Sequence, residues 1–209
     1  MHKTLSDYIV DLTQNSVKAD SNVIIVSLME REDGYIKVYI ADDGAGMDAE
    51  TLARIRELLP EDRRNAPVCK CSQPLESSPG SPVPPVSGEK RLQRTGGQGI
   101  PYLAELVDKC GGVWDVVSED GIGTSLFFEI NAKHQNAPPL GNLASAVACC
   151  MGMEGGFDLN FSRALGDESY SVIRSKAAET LGDLHGAPAL AALREFVRQS
   201  ENELTKKGD

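Results

Sequence analysis

Basic residues are in short supply. Lys and Arg number 21 against 31 Asp and Glu, giving a formal net charge of −10 at pH 7. Binding a phosphate backbone needs clustered cations, so nucleic acid is not expected as the main partner. A local basic pocket for a nucleotide stays compatible with this balance, and the surplus acid serves solubility. No apolar run approaches the ~20 residues of a membrane span. The opening segment, Met1 to Asp20, carries Asp7, Asp11 and Asp20 and does not read as a secretory leader. Membrane contact is therefore not expected, and the cytoplasm is the expected compartment. The cysteines are Cys69, Cys71, Cys110, Cys149 and Cys150, an odd number with no C-x-x-C spacing. That argues against a disulfide framework. Free thiols are the first reading, with a metal, cluster or redox-sensing pair as the alternative. Hydrophobic residues at 41% of 209 suffice for one core plus a smaller appendage.

The apolar pattern then gives an element order. His2 to Lys18 reads as a helix with a stripe of Leu5, Ile9, Leu12 and Val17, and Ser6 as a candidate cap. Asn22 to Leu28 and Tyr35 to Ala41 read as strands joined by the turn Glu32-Asp33-Gly34, a hairpin. Asp48 caps a further helix to about Leu59. Residues 60–95 lose all periodicity, and Pro, Ser and Gly dominate Pro74 to Gly88. A stretch of this kind inside a domain reads as a functional lid or a disordered insertion. Ile100 to Lys109 is a helix stopped by Gly111-Gly112, followed by strands Val113 to Ser118 and Thr124 to Ile130. The whole predicts an α+β, two-layer sandwich of mostly antiparallel sheet and helices over residues 1–133. Residues 134–209 come after it as a small α/β appendage, with a helix near Leu143 to Met151, strands Phe157 to Arg163 and Ser169 to Ile173, and a last helix from about Pro188 to Glu203. This tail can fold alone or extend the first sheet.

Three segments carry chemistry. In Asp11-Leu12-Thr13-Gln14-Asn15-Ser16, helical spacing puts Asp11 and Asn15 on one face. A carboxylate there can orient water or a hydroxyl. An amide oxygen one turn on can enter the octahedral shell of Mg²⁺, which also holds phosphate oxygens. The alternative is a solvated polar face. In Asp42-Asp43-Gly44-Ala45-Gly46-Met47, Asp42 ends a strand and can accept from an exocyclic amine such as that of adenine. Its glycines allow a close backbone approach; the alternative is a plain Asp-Gly turn. In Gly96-Gly97-Gln98-Gly99-Ile100, free N–H groups opening a helix suit phosphate oxygens; the alternative is a hinge. Thr124, after Gly121-Ile122-Gly123, can reach the base-binding end.

Taken in order, these segments resemble the motifs of the GHKL superfamily of histidine kinase-, gyrase- and MutL-like ATPases, over roughly residues 5–131. The stretch from Tyr8 to Asp48 is similar to the MutL-type pattern. The resemblance implies ATP and Mg²⁺ as ligands. It gives Asp11 the place of the general base, and Asn15 that of the magnesium ligand. Asp42 takes the place of the adenine reader, with Gly44, Gly46 and Met47 in its loop. Gly97, Gly99 and Ile100 fall on the phosphate side, and Thr124 near the adenine. Pro138-Pro139-Leu140-Gly141-Asn142, with the strand pair and last helix beyond it, resembles small stand-alone ATP-binding proteins whose genes lie near iron-only hydrogenase genes of anaerobic bacteria. That likeness implies a regulatory setting linked to redox metabolism and a protein partner.

Three departures bear on function. Asp11 is one methylene shorter than the family's Glu. No phospho-accepting His lies on a dimerisation helix, so self-phosphorylation is not expected. No counterpart of the second domain that brings a Lys to the γ-phosphate in MutL, gyrase and the chaperone is expected among the elements read from these 209 residues. The expected function is a Mg-ATP-binding regulatory protein that hydrolyses ATP or passes its phosphate to a partner protein. The alternative is a non-catalytic nucleotide sensor whose lid controls docking. A thiol or metal sensor built on Cys69 and Cys71 is a third reading.

Overall fold

The computed structural model describes residues 4–61 and 99–207. The first helix, α1 (Leu5–Lys18), begins at a capping box. The Thr4 hydroxyl accepts from Asp7 N at 3.2 Å, and the Asp7 carboxylate accepts from Thr4 N at 3.0 Å. This satisfies two otherwise orphaned donors. Ser6, the cap expected from sequence, instead lies in the first turn, and its hydroxyl donates to Leu140 O at 2.6 Å.

Strands β1 (Val23–Glu30) and β2 (Tyr35–Asp42) form the expected hairpin, and α2 (Ala49–Arg56) is capped by Asp48, whose carboxylate accepts from Thr51 N. Next come α3 (Gly99–Lys109), β3 (Val113–Glu119) and β4 (Gly123–Asn131). The tail supplies α4 (Leu143–Met151), β5 (Asp158–Leu165), β6 (Glu168–Ile173), α5 (Arg174–Leu181) and α6 (Ala187–Lys207). All six strands form one sheet in the order β3-β4-β2-β1-β5-β6. Every pairing is antiparallel except β1 with β5, which is parallel.

The tail thus extends the first sheet. Its Leu143, Val147, Leu159, Phe161 and Val197 belong to the same core cluster as Leu5, Ile9 and Leu12 of α1. Along each strand, alternate residues such as Ile24, Val26 and Leu28, or Ile36, Val38 and Ile40, are buried toward the helices. The result is the two-layer α+β fold expected of the GHKL class, on a mixed six-stranded sheet. No described helix is long and apolar enough to cross a membrane.

The helix α5 has no counterpart among the elements expected from sequence. It has no buried residue of its own and is held from outside. Ser175 N and its hydroxyl both donate to Asp158, at 2.9 and 2.8 Å. Arg174 donates to the carbonyls of Met151, Phe157 and Met153 and stacks 4.3 Å from the Phe157 ring centre.

Candidate functional site

The chemistry expected from three distant segments gathers at the ends of α1, β2 and α3. Asp11 and Asn15 are both half-buried on α1. Gly99 opens α3 directly against them. A methyl group added there would overlap Asp11 Oδ2 and come within 3.3 Å of Asn15 Nδ2. Only glycine lets the start of α3 approach the Asp11–Asn15 face this closely. Ile100 comes next, buried. Pro101 then sits in the first turn, where its missing N–H breaks no helical bond.

Asp42 lies at the far end of β2. Its carboxylate accepts from the Ser16 hydroxyl at 2.6 Å and from Gly44 N at 3.0 Å. Burial raises the Asp42 pKa. Hydrogen bonds from Ser16, Gly44, Ser21 and the Thr124 backbone pull the other way and hold the charged form. Thr124 pairs directly with Asp42 across β2 and β4. The neighbouring Asp43 has a structural role. It accepts from Asn22 N at 2.7 Å and Val23 N at 2.8 Å, closing the mouth of the hairpin.

The loop after Asp42 is pinned on both sides. Ala45 N donates to Ala19 O at 2.8 Å, and Met47 N donates to the Ser118 hydroxyl at 2.9 Å. Gly46 adopts φ +66°, and a methyl group there would overlap the Glu119 carbonyl oxygen. Of the expected site residues, Asp11, Asn15 and Gly99 converge at one end, and Asp42, Gly44, Gly46, Met47 and Thr124 at the other. Ser16 of α1 joins the two. Gly97 and residues 62–95, including Cys69 and Cys71, lie outside the described residues.

Sequence reasoning missed Ser16 and Ser118. Ser16 lies one residue past the Asp11–Asn15 motif, and a helical projection puts it next to that face. Ser118 carries no local signal: its partner Met47 is 71 residues away in the chain.

The donor set suits Mg²⁺ held mostly by phosphate oxygens. Such an ion takes one or two protein oxygens rather than a full protein cage. The described residues contain no cluster of three or more His, Cys, Asp or Glu able to hold a metal alone. A cavity of about 260 Å³ is walled by Val23, Ile25, Tyr39, Ala41 and Val117 together with Asp42, Ser118 and Thr124. The first five alternate with the core-facing residues, while Asp42, Ser118 and Thr124 join the cavity to the Asp42 end of the site.

Residues 3–67 match the model of a family described as histidine kinase-, DNA gyrase B- and HSP90-like ATPases. The match spans α1, the hairpin, the Asp42 loop and α2. It supports an ATPase domain of this kind and, with it, nucleotide binding. No curated protein matches the chain. Among solved structures, the N-terminal domain of a DNA repair protein is similar at 10% identity and a TM-score of 0.44, over 90% of this chain. The chain spans 59% of that structure's length, and at this level the likeness carries no functional argument.

Proposed function

We propose that this chain binds Mg-ATP and hydrolyses it or transfers its γ-phosphoryl group to a partner protein. The observation that carries the reading is the meeting of Asp11, Asn15 and Gly99, from two helices far apart in sequence, beside the Asp42–Thr124 pair. In this reading the Asp42 carboxylate accepts from the adenine amine. Backbone N–H groups at the start of α3 meet phosphate oxygens, where the helix dipole favours negative charge. Asn15 offers its amide oxygen to Mg²⁺. Asp11 accepts the proton of an attacking water, or of a partner's hydroxyl, and catalysis is otherwise positioning and charge neutralisation. The likeness of the segment from Pro138 to Asn142 favours a redox-linked regulatory setting for this activity.

Calorimetry with ATP and GTP, with and without Mg²⁺, tests binding. Magnesium-dependent ATP binding, with GTP clearly weaker, is expected; equal affinities would remove the adenine assignment. Asn15→Ala is expected to weaken the magnesium-assisted part. Phosphate release by wild type and Asp11→Asn then tests chemistry. Asp11→Asn is expected to keep binding and lose turnover, since a positioned base contributes about 10²–10⁴-fold. Binding without release in the wild type, and without transfer to any protein, would favour the nucleotide-sensing reading.

A further inference from the structure

Ser118 has three oxygen or nitrogen neighbours at hydrogen-bonding distance and one proton to give. Met47 N donates to its Oγ at 2.9 Å. Gly123 O lies at 2.9 Å and can only accept. Thr124 Oγ1 also lies at 2.9 Å. Two oxygens at that distance repel unless a proton lies between them. The Ser118 proton must therefore go to Gly123 O. The proton between Ser118 and Thr124 must then be that of Thr124, which leaves Thr124 only lone pairs to offer elsewhere.

Thr124 lies directly opposite Asp42, on the same sheet face as the buried Leu126 and Phe128. Asp42 is an acceptor as well, fixed by Ser16 and Gly44. Two acceptors thus stand side by side, and neither side chain keeps a proton to offer a carbonyl oxygen.

We infer that Ser118 is a positioning residue for base specificity. By consuming the Thr124 proton it makes Thr124 an obligate acceptor, so the site takes a purine bearing a 6-amino group and turns away one bearing a 6-oxo group. The same hydroxyl holds Met47 N, so the loop that carries Asp42 and the strand that carries Thr124 are set against each other by one atom. This inference rests on the nucleotide-binding reading above and adds to it a residue that does not touch the base.

The test compares ATP with inosine triphosphate, which carries a 6-oxo group and an N1–H in place of the 6-amino group and bare N1, and has no 2-amino group. Affinities are measured by calorimetry for wild type, Ser118→Ala, Ser118→Thr and Thr124→Val. In Ser118→Ala the Thr124 hydroxyl is free to turn its proton toward a 6-oxo group. The ATP-to-ITP affinity ratio is expected to fall about three- to tenfold, the worth of one ordinary hydrogen bond. Ser118→Thr keeps the hydroxyl and is expected to keep the wild-type ratio. Thr124→Val removes the acceptor, leaves in place the bond from Met47 N to Ser118 and that from Ser118 to Gly123 O, and is expected to lower the ratio similarly. A wild-type ratio in folded Ser118→Ala, or equal weakening of both nucleotides, overturns the inference. If Ser118→Ala does not fold, an unchanged ratio in Thr124→Val overturns it instead. A wild-type protein that binds neither nucleotide overturns the proposed function itself; ATP binding with an unaltered ratio in the variants overturns only the role of Ser118.

Discussion

Both Asp42 oxygens are acceptors only while the group is ionised, and burial lifts its pKa above the ordinary aspartate value. Protonation would turn one of its oxygens into a donor, which suits a 6-oxo base better than a 6-amino one. The ATP-over-ITP preference is therefore expected to shrink as pH falls through the raised pKa. The loss should begin at a higher pH than the ~3.9 of an exposed aspartate. Comparing two nucleotides with the same triphosphate cancels phosphate titration, and a ratio unchanged from neutral pH down to the ~3.9 of an exposed aspartate would refute the expectation. Asp42→Asn is expected to weaken ATP by about 1–3 kcal/mol and to make the ratio insensitive to pH, again by calorimetry. At this scale most residues of the candidate site could be picked out from motif order. Asp11, Asn15, Asp42 and Thr124 stand in recognisable order, because a short motif encodes chemistry within a few residues. Ser118 was not legible, since its role exists only through contacts with Met47, Gly123 and Thr124. The Thr4 cap was legible in principle: Thr4 and Asp7 have the spacing of a capping box, and Ser6 was the more conspicuous but wrong choice.

Two junctions between elements invite substitution. Gly99 lets α3 start against α1, and its added methyl group would strike Asp11. Gly99→Ala is expected to cost about 1–3 kcal/mol, the usual penalty of overpacking. It should weaken nucleotide binding too, because it pushes the α3 N-terminus away from Asp11 and Asn15. Denaturant unfolding and calorimetry on the same preparation check both. The second junction is Arg163 of β5, only 2% exposed. Its guanidinium meets Glu30 of β1 at 2.6 Å and Glu201 of α6 at 3.5 Å, and donates to Ala164 O at 2.6 Å. The Tyr170 hydroxyl also donates to Glu201, at 2.8 Å. Arg163→Ala leaves two carboxylates without their cation and is expected to destabilise by about 3–5 kcal/mol, read from urea midpoints. Most elements were visible from apolar periodicity, and α4 matched to the residue. The helix α5 was invisible because none of its residues is buried, and it is held instead by bonds from its first two residues, Arg174 and Ser175, to Asp158 and to backbone carbonyls. The pairing of β5 with β1 was equally hidden. Alternation fixes which face of a strand is buried, not which strand lies beside it.

At the scale of the molecule, the described residues form one sheet carrying one core. Residues 4–133 alone would leave β1 as an uncovered edge and would strip Leu143, Val147, Phe161 and Val197 from the cluster that holds α1. A fragment ending at residue 133 is therefore expected to lack fixed tertiary packing. The measurements are near-UV circular dichroism and cooperative melting; a sharp melt equal to that of the full chain would show that the tail is dispensable. The α+β class was readable from element order alone. The union of the two halves was not, because nothing in a linker's composition tells whether the strands beyond it return to the same sheet. The parallel β1–β5 pair has a further consequence, for the order of events at the ribosome. Glu30 and Arg163 are 133 residues apart in the chain. During synthesis the motif-bearing first half emerges well before the strand that covers its central edge. For that interval β1 offers unpaired backbone groups and an apolar flank to any other nascent chain. The timing of translation across the tail, and access to a chaperone while it is made, then bear directly on how much of the protein reaches its native state.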